Sequence, residues 1–366
     1  MIKVAQVRWA EMIGGAERVL RDIAVYLDRE QFDMHFFFLK RGGLYADELR
    51  TMGYSVTVIP ARDGYDLSMR FNLLRHLQAF RPHIIHDHCV PPFVRPLLRL
   101  VSGATMLGFE HGEIEINRRK GKPWLNWLNG IDYHLFVRQV MVNSSANAQL
   151  VCTTHHLPPK RVKVIHLGVD LNQFQKFMRC TGETEQDIFV IGYVGRIQNY
   201  DKGTDYLPHL ANTLLQMGFC NFRIRIVGDG PDLTNILTLA QELKVEKYLE
   251  FLGQRNDVST LMTGMDVLVL PSRMEAFGLV ALEALAVGTR VAAFNLPGIR
   301  EILEDCSEVR LVASGDLSAL AHAVFDLWQR YGKQRGFETQ QYVAEHFNAR
   351  RMVHEIEQCY LRFSEK

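Results

Sequence analysis

Two carboxylates, Glu275 and Glu283, lie close together in a segment that reads as strand, loop and helix. An apolar strand pattern over 266–270 leads into the loop that carries Glu275, and Gly278 then opens an apolar helix that carries Glu283. Backbone N–H groups and the positive end of a helix bind anions. The carboxylate in the loop and the second one, a turn into the helix, are placed to accept hydrogen bonds from the hydroxyl groups of a ligand bound there. The pattern therefore predicts a ligand in which a sugar is joined to a phosphate.

A second segment, further upstream, carries two cations after a strand. The buried-strand pattern 189–195 is followed by Arg196, and Lys202 comes next across a short polar loop. Cations at the carboxyl end of a strand, beside the crevice of an α/β sheet, suit a pyrophosphate. Each cation taken alone is more often a solvated surface charge. Their pairing with the Glu275 and Glu283 segment favours the phosphate site.

These two segments and the stretch 226–231 (Ile-Val-Gly-Asp-Gly-Pro) resemble the retaining glycosyltransferases of family 4. In the N-terminal half, residues 14–17 after the first strand and 110–112 after a later strand fit the same family. Residues 164–170 resemble the segment that joins its two domains. The resemblance covers nearly the whole chain in the right order. It implies an α/β chain with the GT-B fold, in which two Rossmann-like, doubly wound parallel-sheet domains face a central cleft.

The elements that would position these residues follow a βαβ rhythm along the chain. Short apolar strands alternate with helical stretches, as in a mostly parallel sheet that is covered on both faces. The rhythm restarts near Ile188, after a polar segment over 168–187 that we interpret as the interdomain linker. We expect an acceptor-binding domain over 1–168 and a nucleotide-sugar-binding domain over 169–340. The resemblance implies that a C-terminal helix over 341–366 crosses back to the first domain.

Composition is that of a globular protein long enough for two cores. The chain has 366 residues, of which 47% are hydrophobic and 23% charged. No apolar run reaches the roughly 18–20 residues that span a bilayer, and residues 1–7 read as a first strand rather than a signal peptide. Six cysteines without a C-x-x-C pair argue against a zinc ribbon or a disulfide framework. We expect a cytoplasmic protein, at most peripheral on the inner face of the plasma membrane.

The charge is unevenly distributed along the chain. The net charge is +1, but residues 1–170 carry +6 and the remainder carries −5. A basic N-terminal half favours an anionic acceptor or an anionic membrane surface. A chance scatter of surface charge explains the asymmetry equally well. We expect no nucleic-acid partner.

The resemblance implies roles for the residues of the second domain. Arg196 and Lys202 would neutralise the diphosphate as charge builds on the leaving group, so no metal ion or other cofactor is expected. Lys202 follows Arg196 by six positions, one more than the usual family spacing, so the loop at 198–200 is expected to shift. Glu283 would accept hydrogen bonds from the ribose, and Glu275 from the transferred sugar. The backbone N–H groups expected to bind sugar and phosphate are those of Phe277, Gly278 and Leu279.

In the first domain the candidates are a glycine and a histidine. Gly15 follows the first strand, where glycine allows close approach to a phosphate, although a tight turn also needs glycine. The segment is not the G-x-G-x-x-G fingerprint, which disfavours a nicotinamide enzyme. The resemblance implies that Gly15 contacts donor phosphates or acceptor and that His111 lies at the reaction centre, polarising a hydroxyl. His86 and His88 share a strand face without a third ligand, so we expect a structural role there rather than a metal site.

The acceptor side is marked by basic residues next to tryptophans. Such a combination serves an interfacial membrane contact or a lipid-linked acceptor site. Core packing is the favoured explanation for the tryptophan itself, because the apolar residues around it have helical spacing. The candidate acceptor or membrane contacts are Arg118, Arg119, Lys120 and Trp124.

The sequence thus predicts a metal-independent, retaining glycosyltransferase. It would move a hexose or N-acetylhexosamine from a nucleotide-sugar donor, a UDP-sugar by family frequency, to a glycan or lipid-linked glycan in cell-surface polysaccharide synthesis. The resemblance also implies that the departing phosphate takes the acceptor's proton. One alternative is a nucleotide-sugar epimerase of the same fold, which needs no acceptor. The other is a non-catalytic nucleotide-sugar-binding scaffold. Such a scaffold would not need to keep all four charged residues, which are Arg196, Lys202, Glu275 and Glu283.

Overall fold

The chain forms two compact units. A computed structural model describes residues 1–9, 15–64, 66–91, 93–101, 103–112, 121, 123–173 and 188–364. The first unit comprises Met1–Leu167 and Ala349–Lys366, and the second comprises Gly168–Asn348. No helix in the described part of the chain is both long and apolar enough to cross a membrane.

The first unit is built on a seven-stranded parallel sheet with the order β3-β2-β1-β4-β5-β6-β7. Its strands are rich in Val, Ile and Phe, and β4 and β6 are buried along their whole length, as expected for a sheet covered on both faces. The strands are β1 (Ile2–Arg8), β2 (Phe32–Lys40), β3 (Ser55–Pro60), β4 (Ile84–His88), β5 (Thr105–Glu110), β6 (Gln139–Val142) and β7 (Val162–Val164).

Helices connect these strands, and side chains fix where some of them begin. The Asp66 carboxylate accepts the backbone N–H groups of Ser68 and Met69, and Ser144 accepts that of Asn147. Both are N-caps that satisfy amide groups left open by the first helical turn. The helices are α1 (Gly15–Tyr26), α2 (Leu44–Thr51), α3 (Leu67–Phe80), α4 (Arg95–Leu98), α5 (Pro123–Phe136) and α6 (Ser145–His155), followed by a 3₁₀ turn at Pro159–Arg161.

The C-terminal helix, Ala349–Ser364, completes the first unit by packing on α1 and β4. Its buried residues recur every three or four positions, which is the pattern of a helix with one apolar face. They are Ala349, Met352, Val353, Ile356, Cys359 and Tyr360.

The second unit contains a six-stranded parallel sheet with the order β10-β9-β8-β11-β12-β13. The strands are β8 (Phe189–Val194), β9 (Phe222–Val227), β10 (Leu249–Gly253), β11 (Val267–Leu270), β12 (Arg290–Phe294) and β13 (Val309–Val312). The helices are α7 (Asn199–Lys202), α8 (Tyr206–Gln216), α9 (Leu233–Glu242), α10 (Val258–Thr263), α11 (Leu279–Ala286), α12 (Pro297–Leu303), α13 (Leu317–Tyr331) and α14 (Phe337–His346).

The C-terminal segment differs from the single helix expected over 341–366. Helix α14 ends at His346 inside the second unit, and the C-terminal helix begins only at Ala349. The break is at Phe347, which is buried and has a non-helical backbone, and whose carbonyl oxygen accepts the N–H of Val169 at 2.8 Å. Its ring also contacts that of Phe277. The second unit accordingly extends to residue 348.

In both sheets the strand order reverses at one place. This switch lies between β1 and β4 in the first unit and between β8 and β11 in the second. Connections leave the two neighbouring strands in opposite directions at a switch, which opens a crevice outside their carboxyl ends where ligands of α/β sheets bind. The residues that follow β4, β8 and β11 are therefore at the position where a site forms.

Two backbone segments come very close together after β8 and β9. A Cβ atom on Gly228 would lie 1.9 Å from the carbonyl oxygen of Gly195, and the backbone φ of Gly228 is +138°. The N–H of Gly195 also donates to the carbonyl of Val227 at 3.0 Å. The chain therefore needs glycine at residue 228 to hold the segment that leads to Arg196 against the end of β9.

We expect Gly228→Ala to destabilise the second unit by about 3 kcal/mol or more, because backbone atoms on both sides must move. The matched control is Gly218→Ala, since Gly218 has a positive φ of +80° but open space around its Cβ position. That control should cost only about 1 kcal/mol, the usual penalty of alanine in this conformation. Urea unfolding of both variants measures the difference. Equal losses in the free energy of unfolding would show that the backbone at Gly195 and Gly228 can move apart at no cost.

Candidate functional site

The predicted residues of the second unit come together after β8 and β11, the strands that flank the switch. Arg196 and Lys202 follow β8, whereas Glu275 and Gly278 follow β11. These strands are paired in parallel, with Val267 opposite Ile191. Their carboxyl ends therefore share one edge, and the loops that leave them meet.

The central contact of this site joins Lys202 and Glu275. The Lys202 Nζ atom lies 2.7 Å from Glu275 Oε2, and both side chains are partly buried. Burial by itself lowers the pKa of Lys202, but the carboxylates of Glu275 and, to a smaller extent, Asp201 more than offset this, so the pKa stands above its usual value. Lys202 therefore carries a full positive charge at neutral pH.

The loop expected to shift around residues 198–200 instead forms one helical turn. Helix α7 begins at Asn199 and ends at Lys202, and Gly203 then takes a left-handed conformation with φ of +61°. A Cβ atom there would lie 2.0 Å from the carbonyl oxygen of Pro271. This turn directs Lys202 towards Glu275.

A second ion pair, which no sequence motif indicated, holds the two loops together. The Arg273 guanidinium contacts both carboxylate oxygens of Asp205, at 2.5 and 2.6 Å, and lies 4.5 Å from the ring centre of Tyr206. The carbonyl oxygen of Asp201 accepts the N–H groups of Arg273 and Met274 at 2.9 and 3.0 Å. Such a two-point contact fixes the orientation of the loop as well as its position.

Gly278 begins helix α11 at the edge of this site. Its φ is +90°, and a Cβ atom would lie 2.3 Å from Ile299 Cδ1, so the residue must be glycine for two reasons. Phe277 before it is buried, Leu279 after it opens the helix, and the partly exposed Glu283 follows along the same helix. The positive end of α11 therefore lies next to the Lys202–Glu275 pair.

Arg196 differs from Lys202 in its exposure. Its side chain reaches solvent, with Nη1 at 3.4 Å from Gln198 Oε1. Its backbone is fixed, because its carbonyl oxygen accepts the hydroxyl of the buried Tyr193 at 2.8 Å. The structure thus provides one cation that is held in place and one that is accessible.

In the first unit, a chain of hydrogen bonds runs through buried side chains to His111. His111 Nε2 lies 3.2 Å from His88 Nδ1, and His88 Nε2 lies 2.7 Å from Gln6 Oε1. Gln6 Nε2 donates to the Tyr360 hydroxyl at 2.8 Å, which is 2.7 Å from His86 Nδ1. The chain thus links β1, β4, the residue after β5 and the C-terminal helix.

The amide of Gln6 sets the direction of this chain. A carbonyl oxygen only accepts, so His88 donates from Nε2 and, when neutral, accepts at Nδ1. His111 must then donate from Nε2, which leaves its Nδ1 with a lone pair. Its ring is stacked on Phe109 with 4.4 Å between ring centres. His111 is therefore arranged to accept a hydrogen bond.

All three histidines of this chain are neutral at pH 7. Burial lowers the pKa of His86 to about 3. Burial also holds the pKa of His88 well below its usual value, helped by His86, His111 and Arg8. The pKa of His111 is lowered well below the usual value by burial and by the charges of Arg8 and His86.

Two further groups support the histidines: Arg8, which no motif contained, and Glu110, which belongs to the segment 110–112 but for which the sequence predicted no role. Arg8 is 3.1 Å from Glu17 and donates to the carbonyl oxygen of His88 at 3.0 Å. The buried carboxylate of Glu110 accepts the N–H of Gly112 at 3.0 Å, which fixes the turn around His111. Both are polar side chains at the carboxyl edge of the sheet. A polar residue at the end of an apolar strand pattern could therefore have indicated them.

The remaining predicted residues are placed as follows. Gly15 begins α1, and apart from its own helical turn no atom of the described residues lies within 4 Å of its Cβ position. Arg118, Arg119 and Lys120 lie outside the described residues. The expected core packing of Trp124 is wrong, because half of its surface is exposed. The apolar residues that share its helical spacing form a solvent-facing stripe of α5 instead. Among the described residues, no group of three His, Cys, Asp or Glu side chains could hold a metal ion.

Comparison with family models divides the chain in the same way as the two sheets. Residues 13–173 match the model described as Glycosyltransferase Family 4, and residues 188–330 match that described as Glycosyl transferases group 1.

Relatives with assigned activities are similar to the chain over different lengths. N-acetyl-alpha-D-glucosaminyl L-malate synthase of Bacillus anthracis is 24% identical, with 95% of this chain and 94% of that protein aligned. D-inositol 3-phosphate glycosyltransferase of Mycobacterium ulcerans is 31% identical, but only 57% of this chain and 46% of that protein are aligned.

Solved structures share the fold. HepE of Anabaena, in a complex with UDP and glucose, superposes with a TM-score of 0.83 at 19% identity, covering 99% of this chain and 100% of that one. Sucrose-phosphate synthase from Thermosynechococcus elongatus gives 0.82 at 18% identity, covering 99% of both chains. With the two parallel sheets, these likenesses confirm the expected α/β GT-B fold.

The neutral histidines make the first unit sensitive to acid. In the unfolded chain a histidine has a pKa of about 6.5. The unfolded state therefore binds more protons once the pH falls below that value, and stability decreases as the pH is lowered towards the folded pKa. Between the unfolded and the folded pKa, each of the three histidines should lower the free energy of unfolding by about 1.4 kcal/mol for each pH unit of acidification.

Urea unfolding at several pH values between about 7 and about 5 measures this slope. His86→Asn should reduce the slope by the share of one histidine. An unchanged slope in the His86 variant would contradict the lowered pKa of that residue.

Proposed function

Because this chain is a glycosyltransferase of the family 4 type with the GT-B fold, we propose that it transfers a hexose or N-acetylhexosamine with retention of configuration. The donor is a UDP-sugar, and the acceptor is a glycan or lipid-linked glycan in cell-surface polysaccharide synthesis. The observation that carries the proposal is the 2.7 Å contact of Lys202 with Glu275 beside the start of α11.

This contact suits the junction of a sugar with a phosphate. Lys202, which is assigned to a phosphate, lies within hydrogen-bond distance of Glu275, which is assigned to sugar hydroxyls. The phosphate and the sugar that they bind must therefore be neighbours as well. Arg196 is the accessible cation for the other side of the diphosphate, and Glu283 is assigned to the ribose. Phe277, Gly278 and Leu279 supply backbone N–H groups. The UDP complex of HepE supports uridine as the base.

The transfer step follows from these charges. The bond between the anomeric carbon and the diphosphate oxygen breaks, and its electron pair leaves with UDP. Lys202, Arg196 and the positive end of α11 stabilise the negative charge that develops. The acceptor oxygen forms the new bond from the same face, and its proton passes to the departing phosphate. Fixed cations take the place of a metal ion in this proposal.

The acceptor is assigned to the first unit. His111 offers Nδ1 as a hydrogen-bond acceptor, which orients a hydroxyl without binding its proton, because the imidazole stays neutral. Gly15 begins α1 with open space at its Cβ position, which leaves room for a ligand. The names of the two relatives contain L-malate and inositol 3-phosphate, so small hydroxylated anions are tested as acceptors beside glycans.

We further propose that the protein is cytoplasmic and binds the inner face of the plasma membrane peripherally. Helix α5 exposes four large apolar side chains at spacings of three and four residues, which places them on one face. They are Trp124, Trp127, Ile131 and Leu135, with exposed fractions of 50%, 65%, 38% and 67%. An exposed stripe with tryptophans at one end is typical of a helix that lies in the membrane interface.

The phosphate role of Arg196 is tested by calorimetric titration with UDP. Arg196→Ala should weaken binding about 10- to 100-fold, as expected for losing a charge-assisted hydrogen bond. The control is Arg330→Ala, which removes an exposed arginine of the same unit. EDTA should change neither affinity. UDP binding that is unaffected in Arg196→Ala would remove this residue from the site, and no binding of UDP, GDP or ADP would contradict both the transferase assignment and a scaffold that binds nucleotide-sugars.

The role of Glu275 is tested by turnover. Glu275→Gln should lower the rate of sugar transfer about 100-fold or more while UDP affinity changes by less than about 3-fold, because the carboxylate is assigned to the sugar and not to the diphosphate. The measurement is product formation from UDP-sugar with and without acceptor. Donor conversion without acceptor would indicate the epimerase alternative, and an undiminished rate would contradict the assignment of Glu275.

A further inference from the structure

The first unit contains a cavity that plays no part in the site described above. Its volume is about 770 Å³, and Thr105 and Met106 at the amino end of β5 line it. His111 follows the opposite end of that strand. A strand of this length spans roughly 15–20 Å, so the cavity and His111 are separated by the height of the sheet.

The charged residues that line the cavity are cations. They are Arg99, Arg138, Lys160, Arg161 and Arg362. No aspartate or glutamate belongs to the lining, and none of these five forms an ion pair with a carboxylate among the described residues. Cations gathered without a counter-charge repel one another, and a bound anion would relieve that repulsion.

Arg161 shows that this repulsion acts inside the cavity. Burial lowers its pKa, and the neighbouring charge of Arg138 lowers it further. Arg161 is already engaged, since its guanidinium donates to the carbonyl oxygens of Tyr133 and Val137 at the end of α5. The side chains available for a ligand are therefore the four exposed cations around it.

The cavity also has an apolar part, which includes Leu98, Met106, Phe136 and Phe363. Leu135 belongs both to the lining and to the exposed stripe of α5. The stripe therefore runs directly to the mouth of the cavity. An apolar stripe that ends at a group of cations is complementary to a membrane surface, where apolar chains lie beneath anionic headgroups.

We infer that this cavity binds the phosphate-bearing headgroup of an anionic membrane lipid. The inference rests on the proposed peripheral membrane association and adds its recognition element. The four exposed cations contact the phosphate, while the stripe of α5 enters the interface beside it.

The test is flotation of the full chain with phosphatidylcholine vesicles that contain phosphatidylglycerol, with pure phosphatidylcholine vesicles as reference. The variant Arg99→Gln, Arg138→Gln, Arg362→Gln removes three exposed cations of the cavity. Binding should weaken about 100-fold, at roughly fivefold for each cation near an anionic surface. The matched control, Arg41→Gln, Arg62→Gln, Arg75→Gln, removes three exposed arginines of the same unit that do not line the cavity.

A loss in the cavity variant that clearly exceeds the loss in the control supports the inference. Equal losses would overturn it and leave the membrane association standing as a general charge effect. If the wild-type chain binds neither kind of vesicle, the proposed association itself fails. Glycerol 3-phosphate and inorganic phosphate are titrated in parallel, and tight binding of either without any vesicle binding would identify a soluble anion as the ligand and overturn the lipid assignment. A urea unfolding transition like that of the wild-type chain in both variants shows that the first unit is folded, since UDP binding reports only on the second unit.

Discussion

Parallel strand pairing is the constraint on which the functional chemistry of this protein depends. Because all strands of a sheet run the same way, each delivers the residue that follows it to one common edge. Arg196 and Glu275 are separated by several elements along the chain, yet they follow adjacent strands. Where the strand order reverses, the two loops also diverge, which leaves space between them. The sheet thus supplies both the proximity of the charged residues and the room for a ligand.

The two units use this edge in opposite electrostatic ways. In the second unit, Lys202 is kept charged because a carboxylate lies next to it. In the first unit, three histidines are kept neutral because burial excludes the charged form. A charged site stabilises a leaving group, and a neutral histidine orients a hydroxyl without taking its proton. This division is consistent with donor and acceptor being handled by different sheets.

The sequence could predict the residues that end strands, since a short apolar run followed by a polar residue is a local pattern. This pattern predicted Arg196 and Glu275 as site residues, whereas His111 became a candidate through the family resemblance. The supporting contacts could not be found, because Arg273 with Asp205 and Gln6 with Tyr360 are distant in sequence and leave no periodicity. The prediction that Trp124 packs in the core was wrong for a different reason. Apolar residues have the same helical spacing in an exposed stripe as in a buried one. The helix break at Phe347 has neither glycine nor proline to mark it.

The discontinuity of the first unit has a consequence for how the protein is made. Ribosomes synthesise the whole of residues 168–348 before the C-terminal helix, so the second unit is a continuous stretch that can fold as soon as it emerges. The first unit, although synthesised first, must wait for Tyr360 before its buried hydrogen-bond chain closes. Until then Gln6 Nε2 and His86 Nδ1 lack the hydroxyl that they contact in the folded core. The order in which the two halves mature is therefore the reverse of the order in which they are translated.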